Sequence, residues 1–439
     1  MPAPPPSRLE FDGADHDRLT HRVFRYPAKF HPPVVRALLD AYAADGDHVL
    51  DPFCGSGTVL VEANARGLDA TGSDIDPLAV FVSHVKTAHY DPDALARSCE
   101  TVTALLAADE RPPDEYERLM FEDLSVEDVA AAREAEGLWL PAIPNLWHWF
   151  RKYAALDLAR ILRRIQATPV EEPHRDFLRI VFAAAIRNSS NADPVPVSGL
   201  EVTSHMKEKD RKGRLVNPYA VFRKALKKGL AGVRSLAARG HNGVSRVVQA
   251  DTTRLSTVEA VAERGPYRLV VTSPPYNSAV DYYRRHQLEM FWLGLVQSQA
   301  DRLQLKHKYV GRDKITNGEA ARNDEADLGP TALRWERAMT DQDEVRRARD
   351  FRHYILSMRQ SFREIAAVTA PGGTALCVVG HSRWKGKELP TKTLLAETAA
   401  PEFDLDAELW YPIKNRYMSY DRHNGADISR EYVLVLKKS

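Results

Sequence analysis

Residues 272–277, with the sequence TSPPYN, carry the side chains best suited to chemistry, and the apolar residues before them predict a buried strand over 269–272. The two prolines fix the backbone and lack an N–H, so the carbonyl oxygens before them can be held toward a ligand. Tyr276 offers a flat ring face on which a base could stack. An amino group on an aromatic ring is a poor nucleophile, and proton acceptors at the Ser273 side chain and the Pro274 carbonyl would favour its reactive form. The alternative is a rigid turn that only closes a strand.

A glycine-rich turn lies far upstream, at residues 51–58 with the sequence DPFCGSGT. It follows a strand predicted over 47–51 and precedes a helix predicted over 58–66. Gly55 and Gly57 would let a ligand approach the backbone closely beside a helix N-terminus. The turn lacks the Lys-Ser/Thr pair of a Walker A loop, which disfavours a nucleoside triphosphate. The alternative is a tight strand-to-helix connection without a ligand.

Acidic residues stand at the ends of three predicted strands. Asp51 ends the first strand, Asp74 follows a strand over 70–73, and Asp251 follows a strand over 246–250. The carboxyl ends of parallel strands share one edge of a sheet, and that edge holds the ligand crevice. An acidic residue about twenty positions beyond a glycine-rich turn suits ribose hydroxyls, which fits Asp74. The alternative for Asp74 is a helix cap.

The order strand, turn, helix, strand predicts an α/β fold with a Rossmann-like, doubly wound sheet. This alternation stops near residue 90, gives way to a mainly helical block over 91–239, and then resumes. Further helices are predicted over 34–42, 147–164, 177–186, 219–238 and 350–369, and further strands over 374–379 and 430–437, the first of these after the turn Pro371-Gly372-Gly373. Residues 1–20 are predicted to be a disordered tail, 207–214 a basic loop, and 297–343 a mobile or partly ordered loop.

The composition excludes several classes of protein. With 439 residues, 44% hydrophobic and 28% charged, the chain is expected to fold as a globular main domain with a large insertion. Its three cysteines have no paired spacing and its histidines no metal-ligand spacing, so neither a disulfide framework nor a metal site is expected. No secretory signal or apolar run of membrane-spanning length is present, which predicts a cytoplasmic protein without membrane contact. The net charge of +1 gives no separate support for nucleic-acid binding.

The glycine-rich turn and the tetrapeptide SPPY, in this order, resemble the signatures of the S-adenosylmethionine-dependent DNA amino-methyltransferase superfamily, which methylates adenine N6 or cytosine N4. The resemblance covers about residues 20–90 and 240–439, and residues 26–32 resemble the segment that closes over the methionine end of the cofactor. It assigns catalysis to Ser273, Pro274, Pro275 and Tyr276, and cofactor binding to Tyr26, Lys29, Phe30, Asp51, Phe53, Gly55, Gly57, Asp74, Ile75, Asp251 and Thr252.

Serine at the first position of the tetrapeptide resembles the cytosine-N4 branch. The resemblance therefore implies a site-specific methyltransferase that acts on cytosine N4 in double-stranded DNA after the base is extruded. It divides the chain into a catalytic domain, residues 21–90 and 240–439, and a helical insertion, residues 91–239, which is either a target-recognition region or structural. Basic residues expected to contact DNA are Arg284, Arg285, Lys207, Lys212 and Arg214, the alternative for the lysine-rich loop being a solvated charged surface.

Other readings stay open at this point. Adenine N6 in DNA is the nearest alternative, although that branch usually carries Asp or Asn before the two prolines. The DPFCGSGT turn also resembles enzymes that methylate guanine N2 in RNA, which usually carry an N-terminal RNA-binding domain. A degenerate fold kept for nucleic-acid binding is disfavoured because every expected catalytic position is filled. The sequence does not decide whether a cognate restriction endonuclease accompanies the protein, or whether the protein is a monomer or a homodimer. It also does not decide whether Asn415 and Arg416 lie near the cleft.

Overall fold

An eight-stranded sheet forms the centre of the computed structural model, which describes residues 7–11, 18–26, 29–194, 199–240, 243–277, 282–312, 314–316, 318–319, 328–413 and 430–439. The strands follow each other across this sheet in the order β1-β9-β10-β6-β5-β2-β3-β4, and β7 pairs with β8 in a separate hairpin. In chain order they are β1 (Ser7–Arg8), β2 (His48–Asp51), β3 (Asp69–Asp74), β4 (Ser245–Gln249), β5 (Tyr267–Thr272), β6 (Thr369–Gly380), β7 (Ser382–Trp384), β8 (Lys387–Leu389), β9 (Phe403–Pro412) and β10 (Arg430–Lys438).

The strand order places a ligand crevice between β2 and β5. The five adjacent strands β6, β5, β2, β3 and β4 run parallel, whereas β10 is antiparallel to both of its neighbours, β6 and β9. From β2 the chain builds one half of the sheet through β3 and β4, and it then returns to the other side of β2 with β5 and β6. A sheet whose order reverses in this way opens a crevice at the carboxyl ends of its strands. This topology confirms the predicted doubly wound α/β class.

Helices cover both faces of the sheet and fill the long connection between β3 and β4. In chain order they are α1 (Pro32–Tyr42), α2 (Thr58–Ala65), α3 (Pro77–Thr87), α4 (Pro92–Asp109), α5 (Pro113–Leu119), α6 (Val126–Glu136), α7 (Leu146–Trp149), α8 (Lys152–Ala167), α9 (Glu172–Ile186), α10 (Ser204–Arg211), α11 (Pro218–Ala237), α12 (Glu259–Ala262), α13 (Tyr282–Arg285), α14 (Gln287–Trp292), α15 (Gln299–Lys308), α16 (Pro330–Thr340), α17 (Val345–Val368) and α18 (Thr391–Ala399). None of the described helices is long and apolar enough to cross a membrane.

Successive side chains of the central strands enter two different hydrophobic cores. Leu50 and Val270 pack among residues of α17 and α18 on one face. Val49, Leu269 and Val271 pack among residues of α1 and α2 on the other face. Strands buried on both faces are nearly continuous apolar runs, which is why β2 and β5 could be recognised from the sequence.

The helical block between β3 and β4 is an added layer on the catalytic sheet. Its buried side chains, such as Tyr153 and Phe177, form one hydrophobic core with Leu78 and Val82 of α3 and with Trp292 of α14. Every regular element described between residues 92 and 237 is helical. The block is therefore fixed to α3, which follows Asp74, and to the segment that follows the tetrapeptide.

The prediction of a disordered tail over residues 1–20 is wrong for the described parts of that range. Strand β1 is the edge strand of the sheet and pairs in parallel with β9, with Ser7 opposite Leu409. Leu19 and Thr20 are buried, and the Thr20 hydroxyl donates to the Lys86 carbonyl at 2.8 Å. These partners are distant in sequence, so local composition gives no sign of them. Residues 1–6 and 12–17 lie outside the described part of the chain.

The predicted basic loop over 207–214 is wrong for residues 207–211, which belong to α10. The Thr203 side chain caps this helix by accepting from the Met206 amide at 3.3 Å, and Met206 is buried. A helix anchored by a single apolar side chain has no hydrophobic periodicity, so the sequence pattern could not reveal it.

The predicted mobile loop over 297–343 is wrong for α15 and α16, which both lie inside it. Helix α15 begins with a capping box, in which the Ser298 hydroxyl accepts from the Asp301 amide and the Asp301 carboxylate accepts from the Ser298 amide. Residues 313, 317 and 320–327 lie outside the described part of the chain.

The single helix predicted over 147–164 is interrupted. Helix α7 ends at Trp149, Phe150 is extended, and α8 begins at Lys152. The Asp123 carboxylate accepts from the Lys152 amide at 2.8 Å and from the Tyr153 amide at 3.2 Å. A cap supplied by another segment thus starts α8, and local periodicity cannot show such a cap.

Candidate active site

A pocket of about 810 Å³, counted with its open mouth, lies at the carboxyl ends of β2, β3 and β5, where the strand order reverses. Its lining combines aromatic and apolar side chains with a few buried polar groups, as sites for small-molecule cofactors do. Its lining residues come from segments that are far apart in the sequence: Tyr26, Lys29, Phe30, Asp51, Phe53, Cys54, Gly55, Ser56, Thr58, Asp74, Ile75, Asp251, Thr252, Ser273, Pro275, Lys308, Tyr309 and Val310. The structure therefore brings together every predicted cofactor residue except Gly57, and it adds Ser273 and Pro275 to the same wall.

Helix α3 packs behind the glycine-rich turn and holds its shape. Gly55 and Gly57 have φ angles of 49° and 71°, in the left-handed region that favours glycine. A Cβ atom on Gly57 would lie 2.8 Å from Ser83 Oγ, and the Ser83 hydroxyl donates to the Gly55 carbonyl at 2.7 Å. Lys86, fully buried on the same helix, donates to the Ser56 carbonyl. Gly57 thus allows the turn to pack closely against α3, while Gly55 and Ser56 line the pocket.

Two buried carboxyl groups, Asp51 and Asp74, give the pocket its electrostatic character. Asp74 accepts from the amides of Gly55 at 2.8 Å and Asp76 at 3.0 Å. Asp51 accepts from the Thr272 hydroxyl at 2.8 Å, which links the glycine-rich turn to the strand before the tetrapeptide. Burial raises the pKa of Asp51 to about 7, and burial together with the nearby charge of Asp76 raises the pKa of Asp74 to about 7. Such carboxyls ionise readily only beside a cation or strong hydrogen-bond donors.

Asp251 and Thr252 form the wall at the end of β4. The Asp251 carboxylate caps a short 3-10 helix by accepting from the Thr253 amide at 2.9 Å and the Thr253 hydroxyl at 2.7 Å. The Thr252 hydroxyl donates to the Pro52 carbonyl at 2.7 Å. The end of β4 is thereby tied to the glycine-rich turn, so both move together as one wall of the pocket.

Tyr26 closes one side of the pocket. Its hydroxyl donates to Asp76 Oδ2 at 3.4 Å, and its ring stacks on the ring of His286 with centroids 4.8 Å apart. Burial lowers the pKa of His286 to about 3, so this imidazole is neutral at pH 7. Lys29 and Phe30 continue the same wall, whereas Pro27 and Ala28 lie outside the described residues.

The tetrapeptide is split between the pocket and the sheet beside it. Ser273 and Pro275 line the pocket, and Pro274 is buried between them. Tyr276 does not line it, and its hydroxyl instead donates to Glu431 Oε1 at 3.1 Å on β10. The tetrapeptide thus presents its first residues to the cofactor pocket and directs its tyrosine across the sheet edge.

Sequence reasoning missed one wall of the pocket, formed by Lys308, Tyr309 and Val310 at the end of α15. Burial raises the pKa of Asp76, and the amide of Leu78 and the nearby Tyr309 hydroxyl oppose this rise only in part. The capping box at Ser298 was the local signal that an ordered element precedes this wall. Cys54, Ser56 and Thr58 were also missed, although they lie within the glycine-rich turn itself.

The predicted DNA contacts on α10 and α13 are linked through one buried guanidinium. Arg187 donates to the carbonyls of Arg285 at 3.3 Å, Gly199 at 2.9 Å and Asp193 at 3.1 Å. The Asp193 carboxylate also accepts from the Thr203 hydroxyl at 2.9 Å, directly before α10. The basic helix α10 is therefore connected to the segment that follows the tetrapeptide.

The five predicted DNA contacts differ in their exposure. Arg284, Lys207 and Lys212 are exposed, and Arg285 is half-buried. The Arg214 guanidinium is already hydrogen-bonded within the protein, because it donates to Asp210 Oδ1 at 2.7 Å and to the Ser190 carbonyl at 3.0 Å. The Arg214 side chain fastens the end of α10 to the protein, and its contact with DNA stays a prediction. Asn415 and Arg416 lie outside the described residues.

Similar proteins are found by sequence along almost the whole chain. Residues 9–82 match the N6_N4_Mtase family, whose description is DNA methylase. The chain is 24% identical over 408 residues to the Type II methyltransferase M.MvaI of Kocuria varians, covering 89% of this chain and 83% of that protein. It is 22% identical over 427 residues to the Type II methyltransferase M.BsoBI of Geobacillus stearothermophilus, covering 88% of this chain and 79% of that protein.

A third similarity is local. A segment of 70 residues is 37% identical to the tRNA (guanine(10)-N2)-dimethyltransferase of Methanothermobacter thermautotrophicus, covering 16% of this chain and 21% of that protein.

Proposed function

We propose, from the confirmed resemblance to the S-adenosylmethionine-dependent DNA amino-methyltransferase superfamily, that this chain methylates cytosine N4 at a specific sequence in DNA. S-adenosylmethionine is its methyl donor. The observation that carries the proposal is the position of Ser273 and Pro275 on the same pocket as Asp51 and Asp74. The residues that would activate an amino group therefore face the place where the methyl donor would bind.

The pocket residues fit S-adenosylmethionine chemically. The donor has two cationic groups, its ammonium and its sulfonium, together with ribose hydroxyls and a flat adenine. Asp51 and Asp74 are buried carboxyls that a bound cation or hydroxyl donor would favour in the ionised form. Phe53 and Ile75 supply apolar surface for the ring system. We assign the ribose to Asp74 and the adenine side to Ile75, Asp251 and Thr252, following the family resemblance.

The proposed chemistry at the tetrapeptide is activation by hydrogen bonding and position. S-adenosylmethionine supplies a methyl group on a sulfonium leaving group. Hydrogen bonds from the target amino group to the Ser273 side chain and the Pro274 carbonyl would localise the nitrogen lone pair, which otherwise delocalises into the ring. The two prolines keep these acceptors fixed, so little reorganisation is required when the nitrogen attacks. As the nitrogen bonded to the methyl carbon, the bond between that carbon and sulfur would break with its electron pair going to sulfur, and the nitrogen would lose one proton to solvent.

Serine at position 273 favours cytosine N4 over adenine N6, which is the alternative product in DNA. An RNA substrate is the second alternative, because the tRNA methyltransferase similarity falls on a short segment of this chain. The substrate class is tested by incubating the purified protein with methyl-labelled S-adenosylmethionine and either amplified unmethylated genomic DNA or total RNA. Label in the DNA supports the proposal, whereas label in the RNA alone would contradict it.

The exposed lysines of the α10 region are expected to contact DNA phosphates. We predict that the double variant Lys207→Ala and Lys212→Ala binds DNA more weakly at low salt and lowers the slope of log affinity against log salt by about 2, one per lost phosphate contact. Fluorescence anisotropy over a salt series measures this slope. Lys392→Ala removes a lysine that is paired with Glu408 of β9, and as the control it should keep the wild-type slope. An unchanged slope in the double variant would remove α10 from the DNA interface.

The affinity for S-adenosylmethionine is expected to depend on pH through Asp51 and Asp74. Their carboxyls have a pKa of about 7 in the free protein, and a bound cation favours the ionised form, so the pKa falls on binding. The affinity should therefore rise as pH increases through 7, by about tenfold between pH 6 and pH 8 for one carboxyl that must ionise. Calorimetric titration at constant ionic strength measures it. Asp51→Asn should bind more weakly with a flatter profile, and a wild-type affinity that is constant from pH 6 to 8 would refute the assignment.

A further inference from the structure

The ring of Tyr276 lies across the end of β6, at Gly380, which has no side chain. Gly380 is the last residue of β6, and a Cβ atom built on it would lie only 2.9 Å from Tyr276 Cε2. Any larger residue at position 380 would push the ring aside, because such a short contact is not tolerated between real atoms. Glycine at this position therefore allows Tyr276 to reach the next strand, β10.

The register of the sheet places a carboxylate directly beyond this gap. Glu431 of β10 lies opposite Gly380 of β6 on one side and opposite Tyr411 of β9 on the other. The Tyr276 hydroxyl donates to Glu431 Oε1 at 3.1 Å, and the Tyr411 hydroxyl donates to Glu431 Oε2. Because β10 is antiparallel, its first residues reach the same sheet edge as the carboxyl ends of β5 and β6.

The direction of both hydrogen bonds is fixed by the chemistry of the three groups. An ionised carboxylate can only accept, and each phenol has one proton to donate. Burial raises the pKa of Glu431 above its usual value, and the hydrogen bonds from Tyr411 and Tyr276 offset this rise only in part. Burial and the charge of Glu431 raise the pKa of Tyr411 well above its usual value, so this fully buried phenol stays protonated. Each oxygen of Glu431 thus has its own phenol donor.

We propose that Glu431, buttressed by Tyr411, is a positioning residue that holds the ring of Tyr276 in the orientation in which the target base stacks on it. This inference rests on the proposed function and on the expectation from the sequence that the extruded base stacks on the ring of Tyr276. A tyrosine ring rotates readily about its side-chain bonds unless its far end is fastened. The hydrogen bond to Glu431 fastens that end, and the missing side chain at Gly380 supplies the space for it.

A double-mutant cycle separates positioning from a general contribution to folding. The single-turnover rate of methyl transfer is measured at saturating S-adenosylmethionine and DNA for wild type, Tyr276→Phe, Glu431→Leu and the double variant. We expect each single variant to lose about tenfold in rate, the effect of a lost hydrogen bond to a charged group. The double variant should be no slower than Tyr276→Phe alone, because Glu431 acts only through the hydroxyl that phenylalanine lacks. The affinity for S-adenosylmethionine should be unchanged throughout.

Two further variants test the same inference. Glu431→Gln should restore most of the rate, because its amide oxygen can accept from Tyr276 while its amide nitrogen donates to the Tyr411 oxygen. Glu408→Leu makes the matched change on the neighbouring strand, where the carboxylate pairs with Lys392, and it should keep the wild-type rate. If Glu431→Leu does not fold, Tyr411→Phe replaces it in the cycle and should slow wild type but not Tyr276→Phe.

The outcomes are distinguishable. Rate losses that multiply in the double variant, or a Glu431→Leu enzyme as fast as wild type, would overturn the positioning role while leaving the proposed function intact. A wild-type protein that transfers no methyl group to DNA would overturn the proposed function and this inference with it.

Discussion

Replacing Ser273 with alanine is expected to lower the rate of methyl transfer by about 10²–10³-fold, the range typical of losing one preorganised hydrogen-bonding group at the reacting atoms. The Ser273 side chain lines the cofactor pocket, directly after a strand whose last residue is bonded to Asp51. Its loss removes a hydrogen-bond acceptor for the target amino group and leaves the backbone shape set by Pro274 and Pro275. The affinity for S-adenosylmethionine should therefore change little.

Single-turnover kinetics and calorimetry measure these two effects separately. Ser382→Ala is the matched control, because that hydroxyl bonds only to Thr391 near the β7–β8 hairpin and should not affect turnover. A Ser273→Ala protein with the wild-type rate would show that the hydroxyl takes no part in activating the amino group. A protein with a normal rate but weak S-adenosylmethionine binding would assign Ser273 to the cofactor instead.

The largest loss of cofactor affinity is expected for Asp74→Ala. The Asp74 carboxylate lines the pocket, and it also accepts from the amides of Gly55 and Asp76. Losing two hydrogen bonds between a carboxylate and ribose hydroxyls should weaken S-adenosylmethionine binding about 100-fold, at about tenfold for each. The rate at saturating cofactor should fall much less than the affinity.

Asp69→Ala is a suitable control for this experiment. Asp69 begins the same strand that Asp74 ends, and its carboxylate accepts from the Val244 amide at 2.8 Å, away from the pocket. Circular dichroism verifies that both variants are folded. If Asp74→Ala binds S-adenosylmethionine as tightly as wild type, the ribose is held elsewhere and the orientation assigned to the cofactor is wrong.

Local sequence was sufficient for the elements that carry the site. The strands ending at Asp51 and Thr272 are apolar runs followed by a glycine-rich or proline-rich turn, so their type and end could be recognised directly. The fold class followed from the order of these elements. The convergence of Asp51, Asp74 and Ser273 on one pocket also followed, because the carboxyl ends of parallel strands share an edge.

Contacts between distant segments could not be derived in this way. Tyr309 lines the pocket because α15 ends beside it, and the residues near Tyr309 in the sequence do not indicate this position. Glu431 meets Tyr276 only through the register of β10 against β6, which depends on an antiparallel strand at the far end of the chain. Arg214 is basic and follows a glycine, a pattern that suggests a phosphate contact. Its hydrogen bonds to Asp210 and to the Ser190 carbonyl depend on the fold, so this pattern could not indicate them.

The helical block between Asp74 and Asp251 has a physical reason to affect specificity. It shares a hydrophobic core with α14, which follows the tetrapeptide closely, and Arg187 connects it to the backbone of Arg285. Under the proposed function, a change in the position of α10 would be transmitted through these contacts to the segment that follows the tetrapeptide. We expect recognition and chemistry to be linked through this contact, with α10 reading or positioning the duplex.

The identity of the methylated nucleoside tests the central claim most directly. Unmethylated genomic DNA is treated with the protein and S-adenosylmethionine carrying a deuterated methyl group, digested to nucleosides, and analysed by mass spectrometry, with Ser273→Ala as the negative control. We expect deuterated N4-methyldeoxycytidine from the wild-type protein and about 10²–10³-fold less from the variant. Deuterated N6-methyldeoxyadenosine in its place would contradict the assignment of cytosine.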